Sequence, residues 1–215
     1  DEYLAYADSE FGRLYDHLQN SSLLSNTCLF LTSDHGEMFE RGIWGHGTRT
    51  LFEPLVRVPL IVARPGQTDH QDVQTPTSNI DLLPTLLHLM GQPIPEWCEG
   101  KILPTFNEQE TLGSERSIYV MEAKQNSQRG QLNIGSFAAL QWPYKLIHYR
   151  GYESKSGAAS EDKDELYNLE NDPEEMDNLI QKEKSIASQL RQELDLNLQE
   201  KNTISQEVEH ADYKS

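Results

Sequence analysis

Leu29-Phe30-Leu31-Thr32-Ser33-Asp34-His35-Gly36-Glu37 is the stretch on which the reading of this chain turns. It sets an apolar run of strand length directly against an acid, an imidazole and a glycine. In an open α/β sheet the carboxyl end of a strand is where the next loop opens a ligand crevice. Asp34 and His35 offer a carboxylate oxygen and an imidazole nitrogen, a donor pair suited to a cation. Gly36 lets the backbone pass close to whatever lies beside it. The same residues also fit plain turn chemistry, with Asp34 bonded to its own backbone and His35 in solvent.

Working outward, residues 3–19 carry Leu4, Ala7, Phe11, Leu14 and Leu18 at helical spacing, which predicts an amphipathic helix on a sheet, ended by Asn20-Ser21-Ser22. Residues 27–32 read as a strand covered on both faces. Residues 36–57 form a long loop with some helix and include Trp44-Gly45-His46-Gly47, a second imidazole framed by glycines. Residues 58–63 make another buried strand, closed by Pro65-Gly66, and residues 67–77 an exposed connection. Ser78 or Asn79 caps the next helix, Pro84 falls near its first turn, and Gly91 with Pro93 stops it. After a loop over residues 97–115, strands are expected at 116–123, 137–141 and 144–149, with a fourth near 166–169. Ile186, Leu190, Leu194 and Leu198 make an i, i+4 stripe for a last helix packed on this small sheet.

The chain has 215 residues and a formal net charge of -17, unevenly spread. Residues 151–215 hold 17 acids against 7 Lys and Arg, so the far end is the more acidic. Such a surface repels polyanions, which argues against nucleic-acid binding. No apolar run approaches the eighteen or so residues a membrane-spanning helix needs. Cys28 reads as a small core residue and Cys98 lies in a loop, and neither has zinc-finger spacing. His17, His70, His88, His148 and His210 have no partner spacing that suggests chemistry; Trp44, Trp97 and Trp142 default to packing, with a cleft border as the other option.

Thr32-Ser33-Asp34-His35-Gly36-Glu37, Gly45-His46-Gly47, Leu51-Phe52-Glu53 and Arg57-Val58-Pro59-Leu60-Ile61-Val62 resemble, in order and spacing, the middle of a sulfatase of the alkaline-phosphatase superfamily. Asn79-Ile80-Asp81-Leu82-Leu83-Pro84 looks like that family's next helix, and Glu165-Leu166-Tyr167-Asn168-Leu169 like its C-terminal strand. The resemblance implies an α/β fold: part of an alkaline-phosphatase-like, mainly parallel sheet with flanking helices, then a small antiparallel sheet plus a C-terminal helix. On that reading residues 1–110 are the C-terminal part of the catalytic domain, 111–200 an antiparallel subdomain with a helix, and 201–215 a disordered tail.

The function implied is metal-dependent hydrolysis of sulfate esters, with Asp34 and His35 as two metal ligands and His46 either contacting the sulfate or acting as general acid. His46 stands where sulfatases commonly place a lysine and phosphatase relatives a histidine on a second metal. Glu37 and Arg49 are candidates to orient these groups. Calcium comes first by resemblance, while the imidazole at His35, where many sulfatases carry Asn, moves preference toward manganese or zinc. The family's formylglycine nucleophile arises in a Cys-x-Pro-x-Arg or Ser-x-Pro-x-Arg context; neither Cys28 nor Cys98 fits, so it is expected on an N-terminal segment absent from this chain, which alone should be inactive. A phosphoryl-transfer relative and a non-catalytic binding module remain open as alternatives, as do substrate and oligomeric state. A periplasmic, extracellular or membrane-associated setting is favoured by resemblance only.

Overall fold

A computed structural model describes residues 2–107, 116–123, 132–152 and 162–212, with the backbone alone over 203–212. The chain packs as two units, residues 1–34 with 58–72, and residues 35–57 with 73–215.

In the first unit α1 (Glu2–Asn20) and a short 3-10 turn precede β1 (Leu29–Thr32), which pairs with β2 (Leu60–Ala63). The strands lie where the apolar runs predict, but they run antiparallel, with Leu29 opposite Ala63 and Thr32 opposite Leu60. This corrects the mainly parallel sheet expected here: an apolar run reports how much a strand is covered, not which way its neighbour runs. Nor are the strands covered on both faces, since Leu31 and Ile61 are exposed. α1 ends as its sequence predicts but buries none of its residues, and Tyr3, Leu4, Tyr6 and Leu14 face solvent.

The second unit is built on an antiparallel meander of β3 (Ile118–Ala123), β4 (Gly135–Gln141), β5 (Tyr144–Arg150) and β6 (Lys163–Asn168), adjacent in chain order. Strand alternation sorts its side chains onto two faces. Phe137, Ala139, Leu146 and Leu166 pack with Ala187, Leu190, Leu194 and Leu198 of α4 (Lys184–Asp212), and Ile186, which with those three leucines makes the stripe read from the sequence, packs partly buried against them. Ala138, Ile147 and Tyr167 pack instead with Met38, Leu51, Phe52 and Leu55, so the other face carries the loop that follows Asp34. Each buried leucine is worth roughly 1.5–3 kcal/mol. That burial, rather than helix propensity, holds α4 in place. Residues 201–212, expected as a loose end, continue this helix, because adding residues to a nucleated helix costs little; residues 213–215 lie outside the described residues.

Leucines alone do not fix α4. Arg191 lies 3.0 Å from Asp164 of β6 and 3.1 Å from Asp195, one turn along the helix. His148, fully buried on β5, donates from Nδ1 to Asp164 Oδ1 at 2.7 Å. Burial alone would push the Asp164 carboxyl up, but the His148 hydrogen bond and the Arg191 charge outweigh it and hold it below its ordinary value. A depressed native pKa stabilises the fold above the unfolded value, near pH 4, and that contribution is lost as pH falls through the native value. Asp164→Asn should therefore flatten the acid limb of a pH–stability curve measured by urea unfolding. An acid limb as steep as that of the parent chain would contradict this.

The loop after Asp34 carries a one-turn helix, α2 (Glu53–Val56), and before the meander a 3-10 turn (Asn79–Asp81) runs into α3 (Leu82–Leu89). Asp81 is fully buried and is the polar hub of this region. Its carboxylate accepts the Ser78 and Lys101 amides, each at 2.8 Å, and both terminal nitrogens of Arg116, each at 2.7 Å. Thr85 Oγ1 donates to the Asp81 carbonyl and accepts the Leu103 amide at 2.9 Å. Pro84 sits in the first turn of α3, as expected. No described helix is long and apolar enough to cross a membrane.

Candidate functional site

Three of the five sequence-flagged residues converge on one loop of the second unit. Met38, fully buried, pairs with Gly45 across a tight bend: the Gly45 amide donates to the Met38 carbonyl at 3.0 Å. Arg41 and Gly42 turn the chain with φ of +56° and +70°, and Gly45 has φ of +99°. A glycine adopts such angles freely, whereas Arg41 does so at a cost of roughly 1–2 kcal/mol. The Arg41 guanidinium lies 4.3 Å from the Phe52 ring, a cation–π contact that offsets part of that cost.

The Met38–Gly45 pair sets the rungs on either side of it. On one side Glu37 meets His46, with His46 Nδ1 3.0 Å from Glu37 Oε2. Because a carboxylate only accepts, Nδ1 carries the proton and Nε2 is the nitrogen turned from Glu37. On the other side Phe39 and Trp44 meet edge to face at 6.1 Å, and both are largely exposed. A surface cavity of about 240 Å³ is lined by Glu37, Phe39, Glu40 and Pro54.

His35 joins the group: its ring centroid lies 4.3 Å from that of His46, tilted by 37°. Its Nδ1 donates to the Gly36 carbonyl at 2.8 Å. Gly36 itself is pinned, because its amide donates to the Leu55 carbonyl at 2.8 Å and a Cβ there would collide with the Pro54 carbonyl oxygen. Any other residue at 36 would push α2 away and move His35 and Glu37, its neighbours on either side.

Two flagged residues remain, Asp34 and Arg49. Asp34 follows β1 by two residues, at the strand end where its sequence puts it, and belongs to the first unit. The Arg49 guanidinium covers the Tyr152 ring at 5.1 Å, and its carbonyl accepts a hydrogen bond from the buried Ser136 hydroxyl. Among the described residues no cluster of three or more His, Cys, Asp and Glu side chains is arranged to hold a metal ion.

Sequence reading missed a buried charged triad behind the loop. Lys145 of β5 is 1% exposed, and its Nζ lies 2.8 Å from Glu53 Oε1 and 2.6 Å from Glu175 Oε1. Glu175, 2% exposed, also accepts the Glu53 amide at 2.7 Å through Oε2. Burial pushes the Glu175 carboxyl up, and Lys145 offsets part of that. The signal was there: a lysine between Tyr144 and Leu146-Ile147 in a strand is almost never buried without a partner.

Residues 1–92 match the family described as Sulfatase. The choline-sulfatase of Rhizobium meliloti (strain 1021) is 33% identical over 183 residues, covering 83% of this chain and 32% of that protein. An uncharacterized sulfatase, YidJ, of Escherichia coli (strain K12) is 30% identical over 175 residues, covering 81% of this chain and 32% of that protein. The chain thus spans about a third of the length of the curated relatives it matches. In structure it is similar to the putative sulfatase yidJ from Bacteroides fragilis, with a TM-score of 0.73 at 22% identity over 93% of this chain and 41% of that one. It is also similar to the phosphonate monoester hydrolase of Agrobacterium radiobacter, with a TM-score of 0.69 at 23% identity over 92% of this chain and 40% of that one.

Proposed function

The chain belongs to the sulfatase family of the alkaline-phosphatase superfamily, and on that footing we propose that the protein it forms hydrolyses sulfate esters, with His35, Glu37 and His46 in its active site. One observation carries this reading: inside the family-matching segment, two imidazoles and a carboxylate meet on one bend, at 4.3 Å and 3.0 Å.

Breaking a sulfate ester builds charge on the leaving oxygen, which a positioned proton donor relieves. His46 suits that task. Glu37 fixes its ring by holding Nδ1, so Nε2 is left to donate to a nonbridging sulfate oxygen or to protonate the leaving alkoxide. Nε2 can give a proton only from the protonated ring, in which both nitrogens carry one and Glu37 is the acceptor for Nδ1. Phe39 and Trp44, exposed two rungs along, supply an apolar rim for the alcohol portion of the ester.

His35 and its chain neighbour Asp34 suit a divalent cation. A backbone carbonyl on Nδ1, as the Gly36 carbonyl is here, is the usual partner of a metal-ligating imidazole that binds through Nε2. Bound there, the cation would neutralise charge on the sulfate oxygens. Calcium is the first choice by family, with manganese or zinc favoured by an imidazole donor. In the full natural protein, Asp34→Ala should lose the bound ion, read by elemental analysis of purified protein, together with turnover of para-nitrophenyl sulfate. Unchanged ion content would remove Asp34 from the ligand set.

A second reading keeps the fold and transfers a phosphoryl or phosphonyl group. An imidazole at His46 favours it, since neutral His46 can hold a second metal. Turnover of para-nitrophenyl phosphate or phenylphosphonate ahead of the sulfate, with two metal equivalents bound, would select it.

A further inference from the structure

We infer that Lys145, Glu53 and Glu175 form a buried clamp through which the antiparallel sheet positions the His35–Glu37–His46 bend, making Lys145 and Glu175 positioning residues of that site. The inference rests on the functional reading of the bend.

The physical linkage is short. Lys145 Nζ on β5 grips the Glu53 side chain at 2.8 Å, and Glu175 Oε2 takes the Glu53 amide at 2.7 Å. Glu53 therefore has both its carboxylate and its backbone fastened to groups that follow it by about a hundred residues. Glu53 opens α2, and the next two residues, Pro54 and Leu55, are those against which Gly36 is pressed and hydrogen-bonded. Gly36 stands between His35 and Glu37, and Glu37 holds His46. A displacement at the clamp thus reaches His35 through two non-covalent contacts, Lys145 to Glu53 and Leu55 to Gly36, and His46 through a third, Glu37 to His46, each joined to the next by one or two residues of chain.

The energetic argument points the same way. Burying one ammonium and two carboxylates is expensive, and an apolar set of similar volume would usually be as stable or more so. Glu175 adds the cost of a left-handed backbone, φ +54°, which a non-glycine residue adopts only where its surroundings hold it. The sheet already packs on the loop through Ala138, Ile147 and Tyr167 against Leu51, Phe52 and Leu55. Apolar packing of that kind is non-directional. The charged triad adds what it lacks, a fixed distance and orientation for α2.

The test uses the full natural protein. Lys145→Met leaves two buried carboxylates facing each other and is open to simple unfolding, so the Glu53→Gln/Lys145→Met/Glu175→Gln variant removes the charges together. The readouts are the melting temperature, the nitrogen chemical shifts of the His46 ring, which report whether Nδ1 still donates to Glu37, and kcat and KM for para-nitrophenyl sulfate. The triple variant should melt close to the parent. Its His46 Nδ1 signal should shift toward that of an unbonded ring, and kcat should fall at least about tenfold with KM changed less than about threefold. A folded triple variant with parental ring shifts and parental kcat overturns the inference. So does loss of fold in both variants, because the triad then only holds the sheet and loop together. Should the parent hydrolyse no sulfate ester, the ring shifts still decide the positioning role, and only the proposed function fails.

Discussion

Asp81→Ala is expected to cost about 3–5 kcal/mol of stability, the usual price of leaving a buried charge without its partner. A domain stable by about 5–15 kcal/mol would be left marginal or unfolded. Asp81 is fully buried, yet it offers acceptors to two amides and to both terminal nitrogens of Arg116. Removing the carboxylate orphans the Ser78 and Lys101 amides and strands a guanidinium that is itself only 17% exposed. Asp81→Asn keeps the shape but loses the charge and one acceptor oxygen, so it should cost less, about 1–3 kcal/mol. Urea unfolding of the two variants measures both values. A midpoint for Asp81→Ala equal to that of the parent would show that the hub is dispensable.

His46→Ala is expected to lower turnover of a sulfate ester by about 100- to 10,000-fold, the range over which a positioned general acid contributes. At about 1.4 kcal/mol per tenfold this is roughly 3–5 kcal/mol of lost transition-state stabilisation. Bound ion should be retained, because on the sulfatase reading His46 touches substrate and not metal. Glu37→Gln should be milder, about 10- to 100-fold, since an amide still occupies the rung beside His46 but cannot stabilise its protonated ring. Loss of one metal equivalent with His46 would transfer the assignment to two-metal phosphoryl chemistry. Retention of full turnover would remove His46 from catalysis altogether.

What could be read beforehand follows from what side-chain pattern encodes. The α4 stripe was legible because Ile186, Leu190, Leu194 and Leu198 repeat at the helical period, and all four pack on the sheet. The strands from Ile118 to Arg150 were legible because β-branched and aromatic residues cluster between turns. Strand direction was not, since Leu29–Leu31 and Leu60–Val62 read alike whichever way the partner runs. Asp34, His35 and His46 stood out by residue type. Their grouping did not follow from type alone. The 37–46 rung depends on a left-handed Arg41, and nothing in that residue announces such a backbone. Glu37 was a candidate partner for His46 on composition and became one through a bend that only the folded chain reveals. Arg49 was flagged by the same proximity in sequence, but its guanidinium found the Tyr152 ring.

The meander also says something about time. β4 and β5 meet through the pair Gln141 and Tyr144, three residues apart, whereas Glu53 reaches Glu175 across 122 residues. Chain-closure entropy grows with the logarithm of that separation, so the long connection costs about 3 kcal/mol more to make than the short one. Entropy therefore favours a sequence of events in which the hairpin zips first and offers a preformed wall. The segment bearing the imidazoles then docks on it late, and the most distant part of the chain becomes the template on which the chemistry is finally assembled.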